Sequence, residues 1–180
     1  LEILQKGGIQ FNSEKALSIL EAAGCQVDRN KMSARIPLEV VEQSLKTLPS
    51  QFVKAARDTE KSIMCGSGDV FYTSVSMPSW IRDLETRERR LTPLDDLVQC
   101  ACLVEAMDEI QEWCPMLLPM EVPPMLRAIK TGQISLLNTT KHLMGSPETR
   151  EELPYFLEMV EAAGGGGAGL KERPIFSAII

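Results

Sequence analysis

The back half of the chain alternates short apolar runs with helical stretches, and this order constrains the fold more than any other feature. The apolar runs are WCPMLLPM at 113–120, KHLMGS at 141–146 and PIFSAII at 174–180. Two helical stretches separate them, at 123–140 and 147–163. The order strand, helix, strand, helix, strand is typical of parallel βαβ units. The sequence therefore predicts an α/β fold with a parallel sheet.

Three successive strand–helix units can belong to a doubly wound sheet or to a (β/α)8 barrel. A complete barrel takes roughly 200 to 250 residues of such repeats. The whole chain has 180 residues, and the repeats occupy only its second half. The pattern of apolar residues alone does not choose between the two architectures.

The front part of the chain mixes helix and strand signals. Asn12 can cap a first helix that stops at Gly24, a residue suited to a left-handed conformation. A hairpin pattern follows, and Pro37 can open a second helix because its missing N–H is no loss at the first position. β-rich runs then flank a turn at 66–69. Residues 1–91 are therefore predicted to form a mixed α+β region.

A capping box predicts where the second domain starts. Thr92 can cap a helix, Pro93 suits its first turn, and Asp95 closes the box three residues after Thr92. The charged run at 82–90 carries both signs of charge, which is typical of a solvated surface connection. Residues 92–180 are therefore predicted to form a second domain of parallel βα units.

Composition excludes several classes of function. A net charge of −6 and a pI near 5.0 argue against nucleic-acid binding, which needs Lys and Arg gathered on one face. Five cysteines without a Cys-x-x-Cys pair indicate neither a disulfide framework nor a zinc knuckle, and free thiols favour a reducing cytoplasm. No apolar run reaches the ~20 residues of a membrane span. The opening LEILQKGG lacks Met, so we expect a piece of a longer chain.

A glycine-rich segment, GGGGAG at 164–169, follows the second helical stretch. A loop of this composition can cradle phosphate when a strand precedes it and a helix follows. Here the order is reversed. The segment is therefore predicted to be a helix C-cap followed by a flexible link.

Seven blocks lie in collinear order along nearly the whole chain. They are ALSILEAAGCQVD, RIPLEVVEQSLKTLP, AARD, MPSWIRDLETRERRLTPLDDL, EVP, NTTKHL and LKERPIFSAII. Together they resemble the amino-terminal part of the trimethylamine methyltransferase family. The resemblance implies a TIM barrel with an added front region, in which 1–91 is the mixed α+β region and 92–180 holds the first three βα units of an incomplete barrel.

The resemblance also implies an activity and its partners. Methyl transfer is expected from a tertiary or quaternary amine, such as trimethylamine or glycine betaine, to the cobalt of a corrinoid. A partner protein would carry that corrinoid (cobalamin), so no cofactor bound tightly to this chain is expected. Two departures limit what the resemblance implies. The sequence has Glu121-Val122-Pro123 where the family pattern has Asp-Val-Pro. The later barrel position where some members use pyrrolysine has no counterpart here. The amine is therefore not readable from the sequence.

In such a reaction the protein contributes the positioning of the substrate and a suitable distribution of charge. Reduced cobalt can displace an amine from a methyl carbon when the amine is positively charged and the carbon is held in line. A methylammonium group can lie over aromatic faces or opposite a carboxylate. The aromatic candidates are Tyr72, Trp80, Trp113 and Tyr155.

Four residues are predicted for the site. Glu121 follows the first strand and is the predicted catalytic residue, since reacting groups lie at the carboxyl ends of barrel strands. Ser146 after the second strand, Trp80 and His142 are predicted to bind substrate. Each has a structural alternative: Glu121 can be a surface or helix-starting carboxylate, Trp80 a packed aromatic, and His142, the single histidine, a structural residue at the start of its strand.

Two other classes of function stay open at this point. An unrelated TIM-barrel hydrolase or lyase would use the carboxylates to bind a metal, although no cluster of histidines supports it. A non-catalytic interaction fragment would expose a sheet edge and an apolar face. Pairing with another copy, or with other chains, would then be expected.

Overall fold

The computed structural model describes residues 1–75, 77–145, 147 and 149–178. It divides into two compact units, one from Leu1 to Ser50 and the other from Gln51 onward. The predicted domain boundary between residues 91 and 92 concerns the start of the βα units and stays a prediction.

The first unit is a small three-stranded antiparallel sheet with two helices. Its elements are a short π-helical turn (Ile3–Gly7), β1 (Ile9–Gln10), α1 (Glu14–Ala22), β2 (Gln26–Asp28), β3 (Ser33–Arg35) and α2 (Leu38–Lys46). The strand order is β1-β3-β2. The N-cap of α1 is Ser13, whose hydroxyl accepts from the Ala16 N–H at 3.3 Å, one residue after the predicted Asn12. Gly24 has the predicted left-handed conformation, with φ +90°.

The second unit begins with two antiparallel hairpins. They are β4 (Phe52–Lys54) with β5 (Ile63–Cys65), separated by a short 3-10 turn (Thr59–Lys61), and β6 (Trp80–Arg82) with β7 (Arg89–Leu91). The charged run at 82–90, predicted to be a surface connection, is thus the turn and part of both strands of the second hairpin. Arg90 pairs with Asp83 at 3.1 Å within this hairpin, and it pairs at 2.6 Å with Asp96 of the helix that begins at Leu94.

Three parallel strands and their crossover helices follow. The elements are α3 (Leu94–Ala106), β8 (Glu112–Trp113), α4 (Pro124–Asn138), β9 (His142–Gly145), α5 (Leu153–Ala163), α6 (Gly166–Glu172) and β10 (Phe176–Ala178). The strand order is β10-β9-β8, and both pairings are parallel. The prediction of parallel βαβ units is confirmed, and among the described residues the sheet stays open and does not close into a barrel.

One face of this sheet packs against the helices and forms the core. Trp113 and Leu143 are opposite each other on β8 and β9, and both are almost fully buried. The indole N–H of Trp113 donates to the Ser135 hydroxyl of α4 at 2.8 Å. Phe156 of α5 contacts Phe176 of β10, with 4.9 Å between ring centroids. Full burial of such side chains stabilises the fold by about 1.5–3 kcal/mol each.

The start of α3 differs from the predicted capping box. Pro93, not Thr92, is the N-cap, and no side-chain bond closes a box with Asp95. Thr92 is buried and its hydroxyl donates to the Leu118 carbonyl instead. The first free N–H of the helix, that of Leu94, donates to the carboxylate of Glu121 at 2.9 Å. A carboxylate distant in sequence therefore replaces the local cap.

The start of α5 also lies later than predicted. The helix begins at Leu153, and Pro154 takes its first turn, where a missing N–H costs nothing. A capping box stands just before it, because the Thr149 N–H donates to Glu152 at 3.0 Å and the Glu152 N–H donates to the Thr149 hydroxyl at 3.2 Å.

The glycine-rich segment is a helix corner, so the predicted flexible link is wrong. Gly164 ends α5, Gly165 has a left-handed φ of +84°, and α6 begins at Gly166. A Cβ at Gly169 would lie 2.4 Å from the Gly164 carbonyl oxygen. Glycine is needed here because the two helix backbones approach closely.

Candidate functional site

The face of the parallel sheet opposite the helices carries polar side chains. Successive residues of a strand point to opposite faces, so Glu112 and His142 lie on the face opposite Trp113 and Leu143. Glu112 and His142 are partners in the parallel register of β8 and β9. Ser177 of β10 and Lys54 of β4 contact them, and we call Lys54, Glu112, His142 and Ser177 the polar cluster.

His142 is held at both ring nitrogens. Nδ1 lies 2.7 Å from the Ala55 carbonyl oxygen, and Nε2 lies 2.7 Å from the Ser177 hydroxyl. Only 1% of the residue is exposed. Burial lowers the pKa of His142 below its ordinary value of 6.5, and the bond to the Ala55 carbonyl opposes this only in part. At neutral pH the ring is therefore uncharged.

Glu112 brings a carboxylate into the same region. Its Oε1 atom accepts from the Lys54 ammonium at 2.6 Å and lies 3.9 Å from His142 Nε2. The side chain of Glu112 is 8% exposed and that of Lys54 is 23% exposed. A buried carboxylate needs such a partner, because an unpaired one would be strongly destabilising.

A pocket of about 150 Å³ opens beside this ion pair. Phe71 and Tyr72 line it together with Lys54 and Glu112. The chain next to Tyr72 runs along the outer edge of β8, where Thr73 forms a parallel bridge with Glu112. Tyr72, one of the four aromatic candidates for a methylammonium site, is therefore placed near a carboxylate. That carboxylate already carries a Lys partner.

The block NTTKHL forms a second polar network, around Glu105 at the end of α3. The Glu105 carboxylate accepts from Lys61, from the Thr139 and Thr140 hydroxyls at 2.8 and 2.7 Å, and from the Thr140 N–H at 3.0 Å. Burial acts to raise the pKa of Glu105, but the bonds from Lys61 and the two threonines outweigh it and lower the pKa to about 2. The network ties the end of α3 to the segment before β9.

Lys141 of the same block is a buried helix cap. Its ammonium donates to the carbonyl oxygens of Val104, Met107 and Ile110, each at 2.5 Å. These three bonds use all three donors of the ammonium group. Burial lowers the pKa of Lys141. Its positive charge stabilises the carboxyl end of α3, where helix carbonyls lack partners.

Glu121, the predicted catalytic residue, lies in the loop between β8 and α4 and is exposed. Its carboxylate caps α3 through the Leu94 N–H. This contact agrees with the structural alternative of a helix-starting carboxylate. The helix is α3, however, and not α4, which follows Pro123. A role in catalysis stays a prediction.

The predicted substrate-binding residues are not gathered at one place. Trp80 lies in β6, and the guanidinium of Arg89 stands 4.5 Å from the centre of its ring, so this face already has a cation. His142 lies in the polar cluster. No described contact joins Trp80, His142 and Glu121 to one another, and Ser146 lies outside the described residues. Substrate binding by these residues stays a prediction.

A small cavity lies between the sheet and α4, near the carboxyl ends of β8 and β9. Its volume is about 30 Å³, and Cys114, Gly145 and Phe156 are among the residues that line it. The Thr131 hydroxyl faces it and finds no hydrogen-bond partner among the residues that the structure describes. The volume suffices for about one water molecule.

Sequence reasoning missed Lys54, Glu105 and Ser177. Their partners are far away in the chain, and Lys54 and Glu112 are 58 residues apart. One signal was available, since Ser177 interrupts an apolar run and Glu112 stands directly before one. A polar residue in a buried strand needs a hydrogen-bond partner.

Neither a metal-binding group of side chains nor a membrane-spanning helix is found in the described part of the chain. No group of three or more His, Cys, Asp or Glu side chains is placed to hold a metal ion there. No helix in that part combines the length and the apolar character that crossing a membrane requires.

The architecture defines a class of protein: an α/β chain with a mixed front region and parallel βα units. Within that class, the model of the trimethylamine methyltransferase (MTTB) family matches residues 1–180. The chain belongs to this family. The resemblance drawn from the seven sequence blocks is thereby confirmed.

Similar proteins are named either trimethylamine methyltransferase or glycine betaine methyltransferase. Trimethylamine methyltransferase MttB of Desulfitobacterium hafniense (strain DSM 10664 / DCB-2) is 29% identical over 177 residues, which are 98% of this chain and 36% of the relative. Glycine betaine methyltransferase of Desulfitobacterium hafniense (strain Y51) is 28% identical over 100% of this chain and 37% of its own length. Trimethylamine methyltransferase MttB of Methanosarcina thermophila is 24% identical, with 100% and 38% covered. The chain spans a little over a third of these relatives.

Proposed function

We propose that these residues belong to an enzyme that moves a methyl group from a tertiary or quaternary amine to the cobalt of a corrinoid protein. The observation that carries the proposal is the family match over residues 1–180, together with relatives named for trimethylamine and for glycine betaine. Both names describe methylated amines. The same match supports a small methylated amine as substrate of this chain.

The fold supports a barrel as the framework of this activity. The order β8, β9, β10 adds each strand beside the previous one in the same direction, with a helix between. Successive strands of a (β/α)8 barrel are arranged in this way. We therefore propose that 92–180 contributes the first three βα units of such a barrel, with 1–91 as its mixed α+β front region.

The corrinoid is proposed to arrive with a partner protein. Cobalt in reduced form supplies the nucleophile that accepts the methyl group. The single histidine of the chain does not fit the role of a cobalt ligand, because Ala55 and Ser177 occupy both ring nitrogens of His142. This supports a corrinoid held elsewhere. The five free cysteines support a reducing cytoplasm as the location.

The direct test uses the complete enzyme that contains these residues, mixed with a reduced corrinoid protein and one amine at a time. Trimethylamine and glycine betaine are the first two substrates to compare. We expect one of them to lose a methyl group, seen as a demethylated amine by mass spectrometry and as a change in the corrinoid's visible spectrum. An unchanged spectrum with every tertiary and quaternary amine offered would refute the assignment.

Glu121 can be tested in the same assay. Glu121→Gln keeps an oxygen that can accept from the Leu94 N–H but removes the charge. If the carboxylate faces the substrate, binding of a cationic amine weakens more than binding of a neutral analogue of the same shape. Equal effects on both ligands would remove Glu121 from the site.

A further inference from the structure

Ser177 and His142 have the geometry of a nucleophile and its base. The Ala55 carbonyl can only accept, so the proton of the neutral His142 ring resides on Nδ1, 2.7 Å from that oxygen. Nε2 then carries the lone pair. The Ser177 hydroxyl, 2.7 Å away, donates its proton to Nε2. A fixed tautomer with its free nitrogen on a hydroxyl is the arrangement that general-base activation requires.

The surroundings favour proton transfer along this bond. The Glu112 carboxylate lies 3.9 Å from Nε2, so it stabilises the positive ring that forms when the proton arrives. Lys54 holds the same carboxylate in place at 2.6 Å. Because burial keeps the pKa of His142 low, the ring is neutral and ready to accept a proton at pH 7. Ser177 itself is only partly buried.

We propose that Ser177 is a base-activated nucleophile that takes the acyl group of a small activated ester. The Ser177 oxygen forms a bond to the acyl carbon while its proton moves to His142 Nε2, and the bond to the leaving oxygen breaks with its electron pair. The leaving oxygen then takes the proton from Nε2. Water hydrolyses the acyl-serine in a second step, which returns the free hydroxyl. This activity is separate from methyl transfer and requires neither amine nor corrinoid.

The test is acylation with p-nitrophenyl acetate, followed by mass spectrometry of the peptide that contains Ser177. Ser44 is the matched control, because its exposed hydroxyl donates only to the Val40 carbonyl at 2.8 Å. General-base catalysis contributes about 100-fold or more. We therefore expect acetylation of Ser177 to be at least about 100-fold faster than that of Ser44. Equal rates at the two serines, or no label on Ser177, would overturn the proposal.

One variant and the pH dependence of labelling separate activation from mere accessibility. His142→Gln retains a side chain that can bond Ser177 but cannot take its proton, so labelling of Ser177 should fall to the rate of Ser44. The rate in the unaltered protein should also rise with pH through a midpoint below 6.5, because the base is His142. A rate whose midpoint lies at or above pH 6.5, or one unchanged in the His142→Gln variant, contradicts the proposal. Circular dichroism of the His142→Gln variant confirms that it is folded.

The outcome is independent of the proposed methyltransferase function. A protein that fails to demethylate any amine can still be acetylated at Ser177, and an active methyltransferase can fail this test. Peptide mapping also distinguishes Ser177 from lysines that react with the same ester.

Discussion

The Glu105 network makes a quantitative prediction about stability and acid sensitivity. Glu105→Gln changes the side chain least in shape but removes its charge, and one of its two acceptor atoms becomes a donor. Either the bonds from Lys61 and the Thr140 hydroxyl, which end on Oε1, or those from the Thr139 hydroxyl and the Thr140 N–H, which end on Oε2, then lose their acceptor. The pKa of Glu105 is lowered from 4.5 to about 2 in the folded chain, which corresponds to roughly 3 kcal/mol. Because 24% of the side chain is exposed, solvent screening reduces the expected loss to about 2 kcal/mol at pH 7.

The direction of the pKa shift of Glu105 determines whether its contribution to stability rises or falls with pH. A carboxyl whose pKa is lowered on folding stabilises the protein fully above the unfolded pKa, and this contribution is lost as the pH falls from 4.5 toward 2. The difference in unfolding free energy between the unaltered protein and Glu105→Gln should therefore shrink across this window. Above pH 6 it should be constant.

Urea unfolding at a series of pH values measures this difference. Both tryptophans, Trp80 and Trp113, lie in the unit that begins at Gln51, so fluorescence reports the unit that contains Glu105. Glu158→Gln is the control, because Glu158 is an exposed glutamate of α5 and forms no ion pair among the described residues. A difference that stays constant from pH 7 to pH 3, or a Glu105→Gln variant as stable as Glu158→Gln at pH 7, would refute the reasoning.

Two further predictions concern the core and the polar cluster. Because burial lowers the pKa of His142, its contribution to stability is complete above pH 6.5 and is lost as the pH falls below that value. Thermal unfolding should therefore show a decline below pH 6.5 that His142→Gln removes. Gly132→Ala should lower the unfolding free energy by about 1–3 kcal/mol, because its Cβ would lie 2.5 Å from the Phe156 ring. Gly132→Ala in a Phe156→Leu background should cost much less, and an equal cost would show that the ring is not the cause.

The order of elements was predictable because it depends on periodicity. Apolar runs separated by amphipathic stretches indicated parallel strands and crossover helices, and the structure has them. Strand length was not predictable in the same way. The run at 113–120 yields only β8, Glu112–Trp113, because Pro115 and Pro119 have no N–H to donate to a sheet.

The candidate site was harder to predict because its contacts join residues far apart in the chain. Glu121 was recognised as a notable carboxylate from its position after a strand, but its N–H partner is Leu94, 27 residues earlier. His142 was interpreted as structural or functional from its type and its place at the start of a strand, whereas the contacts with Ala55 and Ser177 decide its tautomer. Local sequence patterns predict the helix or strand that contains a residue, but they do not predict which distant group contacts its side chain.

The hairpin of β4 and β5 has a consequence for the order of events during synthesis. Lys54 leaves the ribosome 58 residues before Glu112, and Ala55 leaves it 87 residues before His142. A hairpin of this size is marginally stable alone in water, so Lys54 finds its partner only after β8 is made and Ala55 only after β9 is made. Contacts of such long sequence separation slow folding, and the interval is when chaperones and proteases have access to the emerging chain.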